Sequence, residues 1–295
     1  MAADIPSIPG YRILRVLGQG GMATVYLAEQ ESLGRQVALK LLADRYASDP
    51  EASERFVREA RTAARLVHRH IVGVHDVGSH DGRPYLAMEY LPGDTVPATR
   101  TAPAEALQAV REIALALDHA HREGVVHRDI KPENILRRAD GSHALADFGI
   151  ARTADAAAPM TRDGVTLGTP HYMSPEQLQG KPLDGRADLY SLGVVLYQLL
   201  TGALPYQGTD GWSVGVQHIS AAVPHLPPQL ARLQPLVDRL MAKDPADRPQ
   251  SGAEAAALVE AAQAGLTPGA ALPDLPRTSS SPRTARSRRS CCGTR

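Results

Sequence analysis

Up to about residue 91 the apolar positions of this chain alternate in short runs, and beyond residue 104 they recur at the helical period. Residues 11–17 and 24–28 are β-rich runs separated by a glycine-rich turn, which predicts a hairpin. Residues 36–42 alternate again after the Gly34 turn. A helix follows: Asp49 caps it, Pro50 suits its first turn, and Glu51 and Glu54 complement the positive end of its dipole. Its apolar stripe is expected to run through Phe56, Ala60, Ala63, Ala64 and Val67. Two more strand-like runs, 71–77 and 84–91, end at the Pro92-Gly93 break. Residues 104–122 form an amphipathic pattern closed by Gly124. A buried helix is expected over 191–200, and further helices over 230–241 and 253–262. No internal repeat is apparent, and beyond about 265 the periodicity gives way to Pro, Ser and Arg.

The 295 residues are 43% hydrophobic and 22% charged, which gives a globular chain with a substantial core. Aromatic residues are only 4%, so that core must rest on Ala, Leu and Val. The formal net charge is zero, yet from Arg277 onward there are six arginines and no acid. The totals of 32 and 32 therefore leave 26 basic against 32 acidic groups in residues 1–276. A slightly acidic body carries a basic tail, read here as a solvated, disordered end rather than a nucleic-acid or lipid contact. The only cysteines, Cys291 and Cys292, are adjacent in that tail and cannot staple the core or make a zinc site by themselves. A cysteine-free core suits a cytoplasmic location. The start MAADIPSIPG lacks the form of a signal peptide, and no apolar segment is long enough to span a bilayer, so no membrane anchor is expected.

Several short segments carry chemistry. The turn Gly18-Gln19-Gly20-Gly21-Met22-Ala23-Thr24-Val25 lets backbone approach an anion closely and aim N–H groups at it, although many such hairpins are only turns. On the next strand, Ala38 and Lys40 share a face, a small residue beside a cation. Glu59 borders the buried helical stripe, where a carboxylate needs a cation, and Lys40 is the natural candidate. The decisive run is His127-Arg128-Asp129-Ile130-Lys131-Pro132-Glu133-Asn134-Ile135-Leu136, followed by Asp147-Phe148-Gly149. Phosphoryl transfer needs a carboxylate by the attacking hydroxyl, a cation, and hard oxygen ligands for Mg²⁺. Asp129, Lys131, and Asn134 with Asp147 supply these in turn. The cluster His68, His70, His75 is read as a turn after the helix rather than a metal site.

These strings together resemble the signature set of eukaryotic-type (Hanks-type) serine/threonine protein kinases, and the Gly-Gly-Met-Ala form of the loop resembles the bacterial branch. The resemblance covers roughly residues 10–265. It implies an α+β, two-lobed fold: a small antiparallel β-sheet lobe with one helix over about 10–90, and a larger, mainly helical lobe over about 91–265. Residues 266–295 remain a tail. By the same resemblance Gly18, Gln19, Gly20, Gly21 and Val25 would cover ATP, and Ala38 and Leu136 would sandwich its adenine. Met88 would be the gatekeeper, with Glu89 and Leu91 offering hinge backbone groups. Lys40, paired with Glu59, would hold the phosphates; Asp129 would accept the hydroxyl proton; Asn134 and Asp147 would hold Mg²⁺ or Mn²⁺. His127 resembles a packing residue against Phe148 rather than a base.

The resemblance also implies a peptide-binding segment at Gly168-Thr169-Pro170 and Ser174-Pro175-Glu176, with Glu176 paired to Arg248 and Asp188 bonded to the catalytic-loop backbone. Lys131 with Thr169 points to protein Ser/Thr acceptors. Arg128, with Arg55 and Arg152, suggests control by phosphorylation at Thr161 first and Thr166 second. Relatives are said to pair through their small lobes, so a homodimer is an expectation by analogy. The pattern departs in three places: Ala23 replaces a third glycine, Arg69 replaces a proline, and the 93–104 stretch is short, which puts the post-hinge helix and an Asp94 ribose contact in doubt. A pseudokinase scaffold would be expected to have lost Lys40, Asp129 or Asp147, and a small-molecule kinase to lack the 168–176 segment.

Overall fold

The computed structural model describes residues 6–148 and 170–266. The alternating half of the chain folds into one antiparallel sheet in the order β1-β2-β3-β5-β4. Its strands are β1 (Tyr11–Gln19), β2 (Ala23–Gln30), β3 (Arg35–Leu42), β4 (Val74–His80) and β5 (Arg83–Glu89). The register sets Ala38 opposite Met88 and Lys40 between Val25 and Leu86. A single turn, α1 (Asp44–Ala47), precedes α2 (Pro50–Ala63), which starts as its sequence dictates: the Asp49 side chain accepts from the Glu51 N–H at 3.0 Å, with Pro50 in the first turn. Phe56, Glu59, Ala60 and Ala63 turn inward, and the helix packs on β4 and β5.

Two expectations fail in the segment that follows α2. The helix stops at Ala63, so Ala64 and Val67 leave the stripe; Val67 is 83% exposed and Leu66 takes the buried place. The strand expected from residue 71 begins at Val74, and Ile71 makes only an isolated parallel bridge to Leu145.

The large lobe is built on α3 (Pro103–Arg122) and α5 (Gly185–Thr201). Gly124, at φ +74°, ends α3 as its sequence suggests. Fourteen of the seventeen α5 residues are buried, and Gly193 lets Leu240 and Met241 approach to where a β-carbon would meet Leu240 at 2.7 Å. Among the described residues the remaining α-helices are α4 (Pro175–Leu178), α6 (Gly211–Ser220), α7 (Gln234–Leu240) and α8 (Gly252–Leu266). The helix expected over 230–241 is split: a 3₁₀ stretch covers Pro228–Leu233, and α7 starts at Gln234 because Pro235 lacks the N–H an interior position needs. A two-stranded ribbon, β6 (Ile135–Arg137) with β7 (His143–Leu145), lies at the junction of the lobes. Val72 N–H donates to the Leu145 carbonyl and Leu145 N–H to the His70 carbonyl, each at 2.9 Å. The 91–102 stretch forms no helix; Val96 N–H donates to the Ile135 carbonyl at 2.8 Å. Among the described residues no helix is long and apolar enough to cross a membrane.

Candidate active site

A cleft of about 1010 Å³ runs between the lobes. Its roof is the β1–β2 turn, closed by the Gly20 N–H donating to the Ala23 carbonyl at 2.9 Å. Arg45 donates to the Gly21 carbonyl and ties that turn to α1. Gly18, Gln19, Gly20, Gly21, Val25 and Lys40 face the cleft from above, and Asp129, Lys131, Asn134 and Asp147 from below. Ala38 and Met88 are buried in an adjoining apolar cluster, on which Val25, Leu91 and Leu136 pack.

The charged groups on the floor are interlocked. Lys131 Nζ lies 2.8 Å from Asp129 Oδ2. Asn134 Nδ2 donates to the Asp129 carbonyl at 2.8 Å and to its Oδ2 at 3.3 Å, so the amide oxygen is the end left over for a cation. Lys40 Nζ lies 2.7 Å from Asp147 Oδ1. This corrects the expected Lys40–Glu59 pair: two carboxylates compete for one ammonium, and Asp147 holds it here. Glu59 remains on the inner face of α2, 8% exposed. Burial pushes the Asp147 carboxyl up, but the Lys40 ammonium, with His127 and Lys131 further off, outweighs it and holds the group below its ordinary value. An ionised Asp147 and the Asn134 amide oxygen are the hard donors Mg²⁺ takes, and few protein ligands suit an ion that keeps waters and substrate phosphates.

The backbone is strained where this chemistry sits: Arg128 has φ +65° and Asp147 φ +59°. Two side chains, Asp188 and Gln177, hold the Arg128 backbone in place. Asp188, 1% exposed, accepts from His127 N–H at 2.8 Å and Arg128 N–H at 2.7 Å, and the Arg128 carbonyl accepts from Gln177 Nε2 at 3.1 Å. The carboxylate of Asp188 is itself held by His121 Nε2 at 2.8 Å. His127 is fully buried and both ring nitrogens are engaged: Nε2 donates to the Ala146 carbonyl at 2.9 Å and Nδ1 accepts from Asp129 N–H at 3.3 Å. No nitrogen is left to act as a base, and the ring packs edge-on against Phe148 with centroids 4.8 Å apart.

Glu176 and Arg248 pair as anticipated, at 2.6 and 2.8 Å. Arg55 does not stand free for a phosphate pocket; it pairs with Glu51 at 3.0 Å, one turn back on its own helix. Glu89 has its side chain clamped by Arg138, and its N–H donates to the Gly73 carbonyl at 2.8 Å. Burial raises the Glu89 carboxyl and Arg138 lowers it further, for a net fall. Gln177, His121 and Arg138 escaped sequence reasoning because each acts across 49 residues or more. Gly149, Arg152, Thr161, Thr166, Gly168 and Thr169 lie outside the described residues.

The family model described as the protein kinase domain matches residues 11–260. The chain belongs to the protein kinase domain family. This kinase domain is 42% identical over 247 residues to the serine/threonine-protein kinase PrkC of Bacillus subtilis, covering 81% of this chain and 38% of that one. It is 43% identical over 283 residues to the serine/threonine-protein kinase PknJ of Mycobacterium tuberculosis, covering 90% and 48%. The chain therefore spans less than half the length of either relative. Its fold matches the crystal structure of the Mycobacterium tuberculosis PknI kinase domain with a TM-score of 0.70 at 34% identity, over 90% of this chain and 100% of that one. The two-lobed α+β architecture and the resemblance to the bacterial Hanks-type branch both stand on these likenesses.

Proposed function

We propose that this kinase domain transfers the γ-phosphate of ATP to serine and threonine hydroxyls of proteins, its own activation segment included. The observation that carries the reading is the interlocked floor of the cleft, Asp129 with Lys131 and Asn134, facing Lys40 and Asp147. Asp129 orients the acceptor hydroxyl and takes its proton, while Lys131 neutralises charge building on the transferred group. Lys40 holds phosphate oxygens beneath the glycine turn. Ala38, Met88, Leu91 and Leu136 enclose the adenine, with backbone groups of Glu89 and Leu91 at its edge. Asn134 and Asp147 are suited to hold Mg²⁺, or Mn²⁺ in its place, which would supply charge neutralisation across the phosphates. Glu59 supports the site from α2, whose inward face it occupies.

The same reading gives Thr161, then Thr166, as self-modified residues and the cytoplasm, where ATP is held, as the place of action. A second copy is proposed to pair through the small lobe, which exposes Leu33 at 65% and Val16 at 51%. Purified chain incubated with radiolabelled ATP and Mg²⁺, followed by phosphosite mapping, tests the core of this. Label on Thr161 or Thr166 that falls by about 10²–10⁴ in Asp129→Asn is the expected result. Nucleotide binding with no label in either protein would return the scaffold reading.

A further inference from the structure

Outside the cleft, a separate pocket of about 460 Å³ lies between segment 94–102, the first turns of α3 and the β6–β7 ribbon. It shares no lining residue with the cleft, and its volume falls within the ~300–1,000 Å³ of small-molecule sites. Part of its wall is His143 of β7, whose side chain is only 3% exposed. The His143 Nδ1 and main-chain N–H both donate to Glu112 Oε2 of α3, each at 2.8 Å. A carboxylate can only accept, so Nδ1 carries a hydrogen and Nε2 of the neutral ring is an acceptor. That Nε2 bonds no described residue, and it is not sealed from solvent. Tethering β7 to α3 explains Nδ1 and the main-chain N–H. It leaves Nε2 without a role.

Charges of both signs surround it. Arg137 pairs with Glu105 at 3.3 Å, while Arg100 and Asp94 make no ion pair with any described residue. The pocket also takes in the N-terminus of α3. Ala102 provides no capping side chain there and Pro103 no N–H, so the positive end of a 20-residue helix stands open. A free guanidinium and a helix N-terminus call for an anion; the imidazole lone pair and Asp94 call for a hydrogen-bond donor. Among the described residues no cluster of His, Cys, Asp and Glu is placed to hold a metal ion, so the lone pair is offered to an organic ligand. Ala109 and Leu199 supply apolar surface for its carbons. We propose that this pocket binds a small carboxylic acid that also carries a hydroxyl or ammonium group. The acid faces Arg100 and the start of α3, and the donor faces His143 Nε2. Such binding does not depend on the proposed phosphotransfer.

The test uses the full chain and three diacids, L-malate, L-aspartate and succinate, which differ only in carrying a hydroxyl, an ammonium or a hydrogen at one carbon. Equilibrium dialysis of the radiolabelled acids reads binding, and the ring ¹⁵N resonances of His143 in histidine-labelled chain report the contact. Malate or aspartate is expected to bind saturably and about fivefold or more tightly than succinate, the effect of one added hydrogen bond. The same acid should move the His143 Nε2 resonance, which a histidine serving only to tether β7 would not show. Arg100→Gln, a change at an exposed side chain, should weaken binding about tenfold. Saturating ADP should leave binding unchanged. A preference for malate would make the ligand a hydroxy acid and one for aspartate an amino acid; both sustain the proposal. Equal binding of all three acids, saturation by none, or an unmoved His143 resonance would overturn it. So would competition by ADP, which would put the acid in the nucleotide cleft.

Discussion

At the scale of single residues, the site depends on Asp188, which never touches the cleft. Its buried carboxylate accepts three hydrogen bonds, two of them from the consecutive N–H groups of His127 and Arg128. Left-handed backbone at a non-glycine residue is unfavourable by roughly 1–2 kcal/mol, so Arg128 keeps φ +65° only while those bonds over-determine it. Asp129 follows directly, and its carboxylate direction is set by that strained residue. Asp188→Asn has the same shape but loses the charge and turns an N–H toward donors. We expect it to lower unfolding free energy by about 3 kcal/mol and kcat by about tenfold or more, with the KM for ATP nearly unchanged. Urea titration and steady-state kinetics on the same preparation check this. A change confined to KM would mean that Asp188 does not position the catalytic loop.

At the scale of elements, α6 is held by a buried cluster that gives it a pH signature. His218 on α6 bonds the Tyr190 hydroxyl of α5 at 2.9 Å and packs edge-on with Tyr206, while Lys243 Nζ bonds the His218 carbonyl and the Tyr206 hydroxyl, each at 2.8 Å. Burial first, and the Lys243 charge second, push the His218 imidazole down to about 3. Burial, then Arg248, push Lys243 down to about 8. A depressed imidazole gives stability that is complete above its unfolded value near 6.5 and is lost as pH falls toward 3. Ordinary carboxylates titrate below about 4.5, so histidines govern the slope between about pH 6.5 and 5. Burial also lowers His68, His75 and His171, so the His218 share must be read by difference. His218→Gln should flatten the slope of unfolding free energy in that window by up to about 1.4 kcal/mol per pH unit. An unchanged slope in a series of urea midpoints would assign the loss to the other three rings.

The same elements show what was legible. The strands, α2, α3 and α5 announced themselves because long alternating or helical patterns survive local exceptions. Three-residue β6 and β7 leave no period to read, and α6, with glycine and serine among its apolar residues, offers little more. In the site, the contiguous motif was readable and its distant partners were not. Lys40 had two carboxylates within its chemistry, and only geometry chooses Asp147 over Glu59.

At the scale of the whole molecule, a buried ion pair in the large lobe joins α4 to the segment ahead of α8. Arg248 is fully buried, forks onto both Glu176 oxygens, and donates also to the carbonyls of Ala242, Arg186 and Lys243. Its guanidinium lies 4.9 Å from the Tyr190 ring centre. Removing one partner strands a buried charge, which costs about 3–5 kcal/mol, a large share of a typical unfolding free energy of about 5–15 kcal/mol. Arg248→Ala should therefore shift unfolding by about 4 kcal/mol, followed through Trp212, the sole tryptophan, which lies in the large lobe on α6. Arg248→Lys keeps the charge but cannot fork, so it should recover less than half of that loss. If the penalty belongs to the stranded carboxylate, Glu176→Gln combined with Arg248→Met should lose less than the sum of the two single changes. Strict additivity would show instead that Arg248 stabilises the lobe through its three carbonyl contacts and its tyrosine, with Glu176 incidental to it.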